Sequence, residues 1–317
     1  MTIKRFLGVG FLIAMLGGFG SSGCVKSSSP PSNPNTYSIT NIIATTNFAT
    51  ILDTALVRTG LDTLFNNYGP WTYFVTTDQE FINAGITLAT IQNMPDSLIK
   101  KIVLYGALPS QYMTTQLPVG PNAPLTTVSG DSIFVTSDGT GVYVNGVALA
   151  AQNTLASNGE MHVVGSALLP PAGNFIQIAT ADTALSYFAA AVARASTGDF
   201  NISGILSNGV YTVFMPTNAA FQAAGFTTID AVNNAPADSL AEILEYHILP
   251  KRAFTSDFVS QESETTLLSG KSITWGLLGG SEYGVEGAGN SGIIAITTPN
   301  IMARSGVIHI IAQMLKP

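Results

Sequence analysis

Apolar residues recur at the spacing of an α-helix in two segments of the chain. In residues 181–195, ADTALSYFAAAVARA, one helical face carries Leu185, Phe188, Ala189 and Val192. In residues 237–249, ADSLAEILEYHIL, one face carries Leu240, Ile243, Leu244, His247 and Ile248. We therefore predict two amphipathic helices, with Asp182 and Asp238 placed to cap their first turns.

The pattern becomes strand-like further along each half of the chain. Residues 131–150, DSIFVTSDGTGVYVNGVALA, contain short β-branched and aromatic runs. The dipeptides Asp138-Gly139 and Asn145-Gly146 separate these runs and are typical of hairpin turns. Residues 291–315 follow the same order of strand, turn and strand, with the bend at Ser305-Gly306. Helices followed by strands predict an α+β fold, in which helices cover a strand-rich core.

The same series of motifs occurs twice. The segment WTYFVTTDQEF at 71–81 returns as YTVFMPTNAAF 140 positions later. VLYGALP at 103–109 returns as LEYHILP 141 positions later, and NGEMHVVGSALLP at 158–170 returns as SGVIHIIAQMLKP 147 positions later. We predict two tandem domains, residues 38–170 and 171–317. The rise in offset from 141 to 147 places six extra residues in the second domain, and we expect them in the glycine-rich segment 276–292.

Composition excludes some classes of protein. Hydrophobic residues make up 46% of the 317 positions and charged residues only 10%, so extended disordered tracts are not expected. The net charge of −7 argues against nucleic-acid binding, which depends on clustered lysine and arginine. A single cysteine, Cys24, excludes an internal disulfide.

The N-terminus has the features of an export signal. Lys4 and Arg5 precede an apolar run at 6–19, which has the length of a signal-peptide core. Cys24 follows small residues and resembles a bacterial lipoprotein cleavage site, with Ser21 where leucine is usual. The resemblance implies a signal peptide at 1–23 and lipid attachment, including palmitate, at Cys24. It also implies anchorage in the bacterial cell envelope, at the outer membrane, with the chain either in the periplasm or exposed at the surface. The Ser/Pro-rich residues 24–37 then form a solvated tether.

Each copy resembles a fasciclin domain. That family opens on a motif of the type Thr-Val-Phe-aliphatic-Pro-Thr-Asx-x-Ala-Phe, has a central Tyr-His pair and closes on Asn-Gly-x-aliphatic-His. The second copy matches at Thr212, Phe214, Pro216, Thr217, Phe221, Tyr246, His247 and His309. The first copy matches at Thr72, Phe74, Phe81, Tyr105 and His162. It departs from the family at Thr76, in place of proline, and at Gly106, in place of the central histidine.

The resemblance implies a β-wedge or sandwich with an α-helical layer in each copy. It also implies a role in adhesion, through binding of an extracellular protein or polysaccharide, with no enzymatic activity and no cofactor or metal. We interpret the motif residues as structural and expect partner contacts in the glycine-rich insertion, at Trp275 and Tyr283. Two alternatives stay open, namely a carbohydrate-active or hydrolytic enzyme with an unrecognised site and a carrier of a small apolar ligand.

Other reactive residue types have simpler interpretations. The three histidines occupy apolar positions, a pattern typical of hydrogen-bonded core histidines and not of metal ligands. Ser97 and Lys100 have the spacing of some acyl-enzyme serines, but the partner motifs of that machinery are missing. Triplets of the form Asp-Ser/Thr-aliphatic either cap helices or resemble O-glycosylation acceptors of some bacterial envelopes. They begin at Asp53, Asp62, Asp96, Asp131, Asp182 and Asp238.

Overall fold

The computed structural model describes residues 36–139, 141–258, 261–279 and 282–317. The predicted signal peptide, the lipid attachment at Cys24 and nearly all of the tether lie outside the described residues. From residue 36 onward the chain belongs to a single unit by its contacts. This unit contains two stretches with the same order of elements, called the first repeat and the second repeat below.

The first repeat begins with three helices, continues with one strand and three more helices, and ends with six strands. Its helices are α1 (Ile39–Thr45), α2 (Thr50–Thr59), α3 (Leu61–Asn67), α4 (Asp78–Asn83), α5 (Leu88–Asn93) and α6 (Asp96–Tyr105). Its strands are β1 (Trp71–Val75), β2 (Ala107–Leu108), β3 (Gly120–Thr126), β4 (Ser132–Ser137), β5 (Val142–Val144), β6 (Val147–Ala156) and β7 (Gly159–Val164). A 3₁₀ helix, Thr114–Gln116, follows β2.

The second repeat has the same series of elements. Its helices are α7 (Phe175–Ala181), α8 (Ser186–Ala195), α9 (Ile202–Asn208), α10 (Asn218–Ala223), α11 (Ile229–Asn233) and α12 (Ala237–Tyr246). Its strands are β8 (Tyr211–Pro216), β9 (Ile248–Leu249), β10 (Ser263–Thr265), β11 (Ser272–Leu277), β12 (Tyr283–Gly287), β13 (Ile294–Ala303) and β14 (Gly306–Ile311). The 3₁₀ helix Thr255–Asp257 corresponds to the one in the first repeat.

Each repeat forms one seven-stranded mixed sheet. The strand orders are β2-β1-β7-β6-β5-β4-β3 and β10-β11-β12-β13-β14-β8-β9. The motif strands β1 and β8 pair in parallel with β7 and β14, the last strands of their repeats. This register sets Phe74 opposite His162 and Phe214 opposite His309. The aromatic residue of the opening motif therefore meets the histidine of the closing motif in both repeats.

Each sheet carries a hydrophobic core on both faces, because side chains alternate along a strand. In β8, Val213 and Met215 enter the core beneath α8 and α12, whereas Phe214 enters a second core with Trp275 of β11. Strands β8 and β11 are four places apart in the sheet, and register shifts in β13 mark the bulges at which it bends. The sheet therefore folds onto itself as a wedge under a helical layer, which confirms the predicted α+β fold.

The two predicted amphipathic helices are α8 and α12, but their starts differ from the prediction. Asp182 caps the 3₁₀ turn Thr183–Leu185 that leads into α8, by accepting a hydrogen bond from the Ala184 N–H at 2.9 Å. Helix α12 begins after Pro236 without a side-chain cap. The predicted cap at Asp238 was wrong, because this carboxylate accepts from the Asp199 N–H at 3.0 Å and so holds the connection between α8 and α9.

The extra residues of the second repeat lie in one turn. In the first repeat the two-residue turn Asn145-Gly146 joins β5 to β6. In the second repeat the paired residues Val285 and Ile294 enclose eight residues, 286–293. The difference of six residues falls in a turn that overlaps the glycine-rich segment 276–292, where the sequence placed it.

Candidate functional site

The motif threonines hold the loop that precedes each 3₁₀ helix. Thr212 Oγ1 donates a hydrogen bond to the carbonyl of Lys251 at 2.8 Å and accepts one from the N–H of Ala253 at 2.8 Å. Thr72 makes the same pair of bonds in the first repeat, at 2.6 and 2.8 Å. Both threonine side chains are fully buried, so they fix the path of the loop and are not accessible to a partner.

His309 is a buried connector between strands and loop. Its Nδ1 accepts a hydrogen bond from the Asn300 N–H at 3.3 Å, and its Nε2 therefore carries the proton and donates to the Ala253 carbonyl at 3.0 Å. The ring stacks on Phe214 with centroids 5.5 Å apart. Burial lowers the pKa of His309 to about 4, partly offset by the hydrogen bond to Ala253. The imidazole is thus neutral at pH 7 and structural.

His162 occupies the same position in the first repeat. Its Nδ1 accepts from the Asn153 N–H at 3.1 Å, and its Nε2 donates to the Tyr112 carbonyl at 3.0 Å. Its ring lies 5.6 Å from that of Phe74. Burial lowers its pKa as well, against the effect of the hydrogen bond to Tyr112.

The central Tyr-His pair ties distant segments of the second repeat to α12. His247 Nδ1 donates to the Ile243 carbonyl at 2.7 Å, and Nε2 accepts from the Leu315 N–H at 2.9 Å, which fastens the C-terminal segment. Burial lowers the pKa of His247 to about 4. The hydroxyl of Tyr246 donates to the Ser272 carbonyl at 2.7 Å, and Tyr105 does the same to Ser132 at 3.1 Å.

The rest of the opening motif starts a helix. Thr217 caps α10 by accepting from the Ala220 N–H at 3.2 Å, directly after Pro216 ends β8. Phe221 then anchors this helix in the core, and Phe81 does so in the first repeat. The motif residues are therefore used within the fold.

The two aromatic residues predicted as partner contacts have different positions. The prediction for Trp275 was wrong, since only 2% of it is exposed and its ring stacks on Phe258 at 3.6 Å. The alternation of side chains along a strand explains this burial, because Trp275 and Ile273 of β11 point into the same core as Phe214. Tyr283 is half-buried and borders a concavity with Leu278 and Ile296. It stays a candidate contact.

The structure shows a contact surface between the repeats, and the sequence did not identify the residues that form it. The turn at Gly146 lies on the second repeat, where its carbonyl accepts hydrogen bonds from Thr255 Oγ1 and Asn300 Nδ2, both at 3.4 Å. Phe134 of β4 packs on Phe254, with ring centroids 6.1 Å apart. Gly146 has φ +78°, and a Cβ there would lie 2.5 Å from the Cβ of Phe254. The close approach and the positive φ both require glycine.

Two further side-chain contacts complete this surface. The guanidinium of Arg252 lies 3.8 Å from the ring centroid of Phe134, at cation–π distance. Asn122 Nδ2 donates to Asp257 Oδ2 at 2.6 Å. The only sequence signal for this region was the Asn145-Gly146 dipeptide, which identified a turn but not what the turn contacts.

Other candidate chemistry finds little support in the described residues. No group of three or more His, Cys, Asp or Glu side chains is placed there to hold a metal ion. Ser97 and Lys100 both lie exposed on the first turns of α6. In this described part no single helix has the length and apolar character to cross a bilayer. The helices Phe175–Ala181 and Thr183–Ala195 meet that test only as a pair bent by 109°.

Comparison with known sequences identifies the family. A sequence model of the fasciclin domain matches residues 44–170 and 184–317. The chain therefore belongs to the fasciclin domain family and carries two such domains in tandem.

Individual relatives match parts of the chain. Protein sll1483 of Synechocystis sp. is 28% identical over 172 residues, which cover 54% of this chain and 87% of that protein. Cell surface glycolipoprotein MPT83 of Mycobacterium tuberculosis is 33% identical over 147 residues, or 46% of this chain and 61% of the relative. Periostin of Homo sapiens is 29% identical over 178 residues, which cover 56% of this chain and 20% of periostin. The chain thus spans less than two thirds of the last two relatives.

The fold is also similar to a solved structure, a FAS1 domain pair from the insect cell adhesion molecule Fasciclin I. The match covers 86% of this chain and 98% of that one, with 17% sequence identity and a TM-score of 0.41.

Proposed function

We propose that this protein is an adhesion or binding protein of the bacterial cell envelope, whose two fasciclin domains contact an extracellular protein or polysaccharide. The observation that carries this proposal is family membership over two long stretches, 44–170 and 184–317. One of the relatives is a cell surface glycolipoprotein, which supports a position at the surface. The motif residues are used inside the fold, so the recognising groups belong to surfaces between and beside the motifs.

The segment around Tyr283 is one such surface. Tyr283 is half-buried, while Leu278 beside it is 42% exposed. Deleting residues 279–290 would not test it, because this removes all of β12, including the fully buried Val285. The substitution Tyr283→Ala keeps the strand and is the better probe, with Tyr143→Ala, which removes another half-buried tyrosine from β5 of the first repeat, as the control.

The proposed anchor is lipid attachment at Cys24. Cells fed an alkyne analogue of palmitate should label the wild-type chain, and the variant Cys24→Ala should lose the label and leave the membrane fraction. Intact mass of the native chain separates lipid alone from lipid plus glycan at the Asp-Ser/Thr-aliphatic triplets. An unlabelled wild-type chain in the membrane fraction would contradict the lipid anchor.

The binding role is tested by crosslinking on intact cells that carry the chain at their surface. We expect wild-type cells to yield a reproducible crosslinked envelope component. Released chain from cells with Cys24→Ala should yield less of it, because anchoring raises the local concentration for weak contacts. A substrate turned over by the purified chain and abolished by one carboxylate substitution would instead establish the enzymatic alternative.

A further inference from the structure

On the second repeat the Gly146 turn lies on an asparagine and a threonine that are hydrogen-bonded to each other, and we call such a pair a clasp. The first repeat carries an equivalent clasp. In the second repeat, Asn300 Oδ1 accepts from the Thr255 N–H at 2.9 Å, and its Nδ2 donates to Thr255 Oγ1 at 2.7 Å. In the first repeat, Asn153 and Thr114 make these two bonds at 2.9 and 2.9 Å. Both asparagines have positive φ, at 61° and 56°. The two clasps therefore present a hydroxyl and an amide in the same arrangement.

The two clasps differ in what covers them. In the second repeat, Phe254 is fully buried and Thr255 is 4% exposed, with the Phe134 side chain of the first repeat packed on the cluster. In the first repeat, Met113 stands in the position of Phe254 and is 44% exposed. Asn153 is also exposed. An apolar side chain beside a preformed amide and hydroxyl is thus accessible on the first repeat.

A buried carboxylate beneath this surface also points to a ligand. Glu160 stands in the position of Val307, which belongs to the cluster on which Phe134 packs. The Glu160 side chain is fully buried, and its Oε1 has no hydrogen-bond partner among the described residues. Its Oε2 is 3.4 Å from Gln111 Nε2. Because buried polar atoms are normally paired, Oε1 fits a site where an incoming group supplies a donor.

A second copy of this chain does not supply, from its second repeat, a hairpin that fits the clasp of the first repeat. The turn of the second repeat has eight residues in place of two and is folded back on its own repeat. The Gly289 N–H donates to the Lys316 carbonyl at 2.9 Å, and the Ala288 N–H donates to the Tyr246 hydroxyl at 3.0 Å. The equivalent hairpin of the first repeat is already seated within its own chain. The occupant is therefore expected to come from a different protein.

We propose that Met113, Thr114, Asn153 and Glu160 form a docking site for a β-hairpin of a separate protein. The turn carbonyl of the hairpin accepts from Thr114 and Asn153, as Gly146 does on the second repeat. An apolar or cationic side chain beside the turn lies over Met113 and, when cationic, pairs with Glu160. Charge complementarity favours the cationic form, since the chain carries a net charge of −7. This inference rests on the binding role proposed above and names the kind of partner.

The test uses the chain from residue 24 onward, with Cys24→Ser and with its methionine methyl groups labelled with ¹³C. The probes are two cyclised peptides with the sequence of residues 132–147, one with the native phenylalanine and one with Phe134→Arg. The methyl signal of Met113 is assigned with the variant Met113→Leu. We expect this signal to shift on addition of either peptide, with tighter binding of the arginine peptide.

Matched substitutions in the two clasps give the control. Asn153→Gly keeps the backbone conformation and should weaken peptide binding about fivefold, the factor for one hydrogen bond. Asn300→Gly makes the same change in the occupied clasp and should leave binding at Met113 unchanged. Thr114→Val serves as a second variant if Asn153→Gly disturbs the methyl spectrum. Glu160→Val should remove the preference for the arginine peptide.

The proposal is overturned if the Met113 methyl does not shift at millimolar peptide, or if binding is indifferent to both Asn153→Gly and Thr114→Val. A shift that depends on the concentration of the chain alone would assign the surface to a second copy and also overturn it. None of these three results affects the crosslinking on cells, so failure of this surface is distinguishable from failure of the adhesion role.

Discussion

Acidification should destabilise the second repeat more than the first. Burial lowers the pKa of His247 and His309, both in the second repeat, from 6.5 to about 4. The folded state therefore binds these protons more weakly than the unfolded state. The associated stability is complete above about pH 6.5 and is lost as the pH falls toward 4. The first repeat has only His162 in such a position, because Gly106 replaces the central histidine.

The magnitude follows from the two pKa values. The difference between 6.5 and 4 corresponds to ~3 kcal/mol of unfolding free energy per histidine once the pH is below both values. At pH 5 the loss is already ~2 kcal/mol per histidine, or ~4 kcal/mol for the pair. This is a large share of the ~5–15 kcal/mol that stabilises a typical domain.

Two carboxyl groups with a raised pKa act in the opposite direction. Burial raises the pKa of Glu160 in the first repeat, with a smaller lowering by the hydrogen bond to Gln111. A raised folded pKa means that stability is gained as the pH falls through it, so the first repeat is partly protected from acid. Burial and the nearby Glu242 raise the pKa of Glu245 in the second repeat, which offsets some of its histidine loss.

The assay uses the two tryptophans of the chain, Trp71 in the first repeat and Trp275 in the second. Urea unfolding of Trp275→Phe is followed by the fluorescence of Trp71, and the reverse variant reports the second repeat. Between pH 7.5 and 5.0 we expect the urea midpoint to fall clearly further for the second repeat. Equal shifts of the urea midpoint in both repeats would refute the reasoning. A His309 resonance that titrates near pH 6.5 would refute it as well.

Three further substitutions test the interior and the contact between repeats. Gly146→Ala should destabilise the chain in urea by ~1–2 kcal/mol more than Gly130→Ala, because both positions have positive φ but only Gly146 meets Phe254. Glu160→Val should raise the unfolding free energy of the first repeat at pH 7 by ~1–3 kcal/mol, since it removes a buried carboxylate with an unpaired oxygen; an unchanged urea midpoint would count against this. Thr212→Val should cost ~1–3 kcal/mol, as it leaves the buried Ala253 N–H without an acceptor, and unfolding at the wild-type midpoint would contradict its role in holding the loop.

Local patterns were sufficient to predict much of the fold. The apolar stripes of α8 and α12 have the period of a helix, and the dipeptide at Asn145-Gly146 has the chemistry of a two-residue turn. The offsets between the repeats located the insertion, because strand pairing keeps the residue spacing constant within the sheet and extra residues are confined to turns. The predicted cap at Asp238 was wrong because the helix starts two residues earlier, after Pro236, and the carboxylate accepts from a backbone N–H of another segment. Local chemistry does not fix that choice.

The candidate surface was less accessible to prediction, because its contacts join residues far apart in the chain. Asn300 and Gly146 are 154 positions apart, and Phe134 meets Phe254 only after both sheets have formed. Trp275 was assigned to the surface on account of its glycine-rich neighbourhood. The bend of the sheet instead encloses it, since the bulges of β13 bring β11 over Phe214. Curvature of this kind is a property of the whole sheet.

The surface clasp and the buried histidine of each repeat are connected through the same asparagine. The bulge that bends β13 puts Asn300 at positive φ, where its N–H reaches His309 and its side chain holds Thr255. Asparagine is one of the few residues other than glycine that adopt this conformation readily. The same requirement in β6 places an asparagine over His162. A polar clasp therefore appears on the outside of each repeat because the core needs the bulge. The residues around the clasp differ between the repeats, and those of the second repeat seat the Gly146 turn of the first.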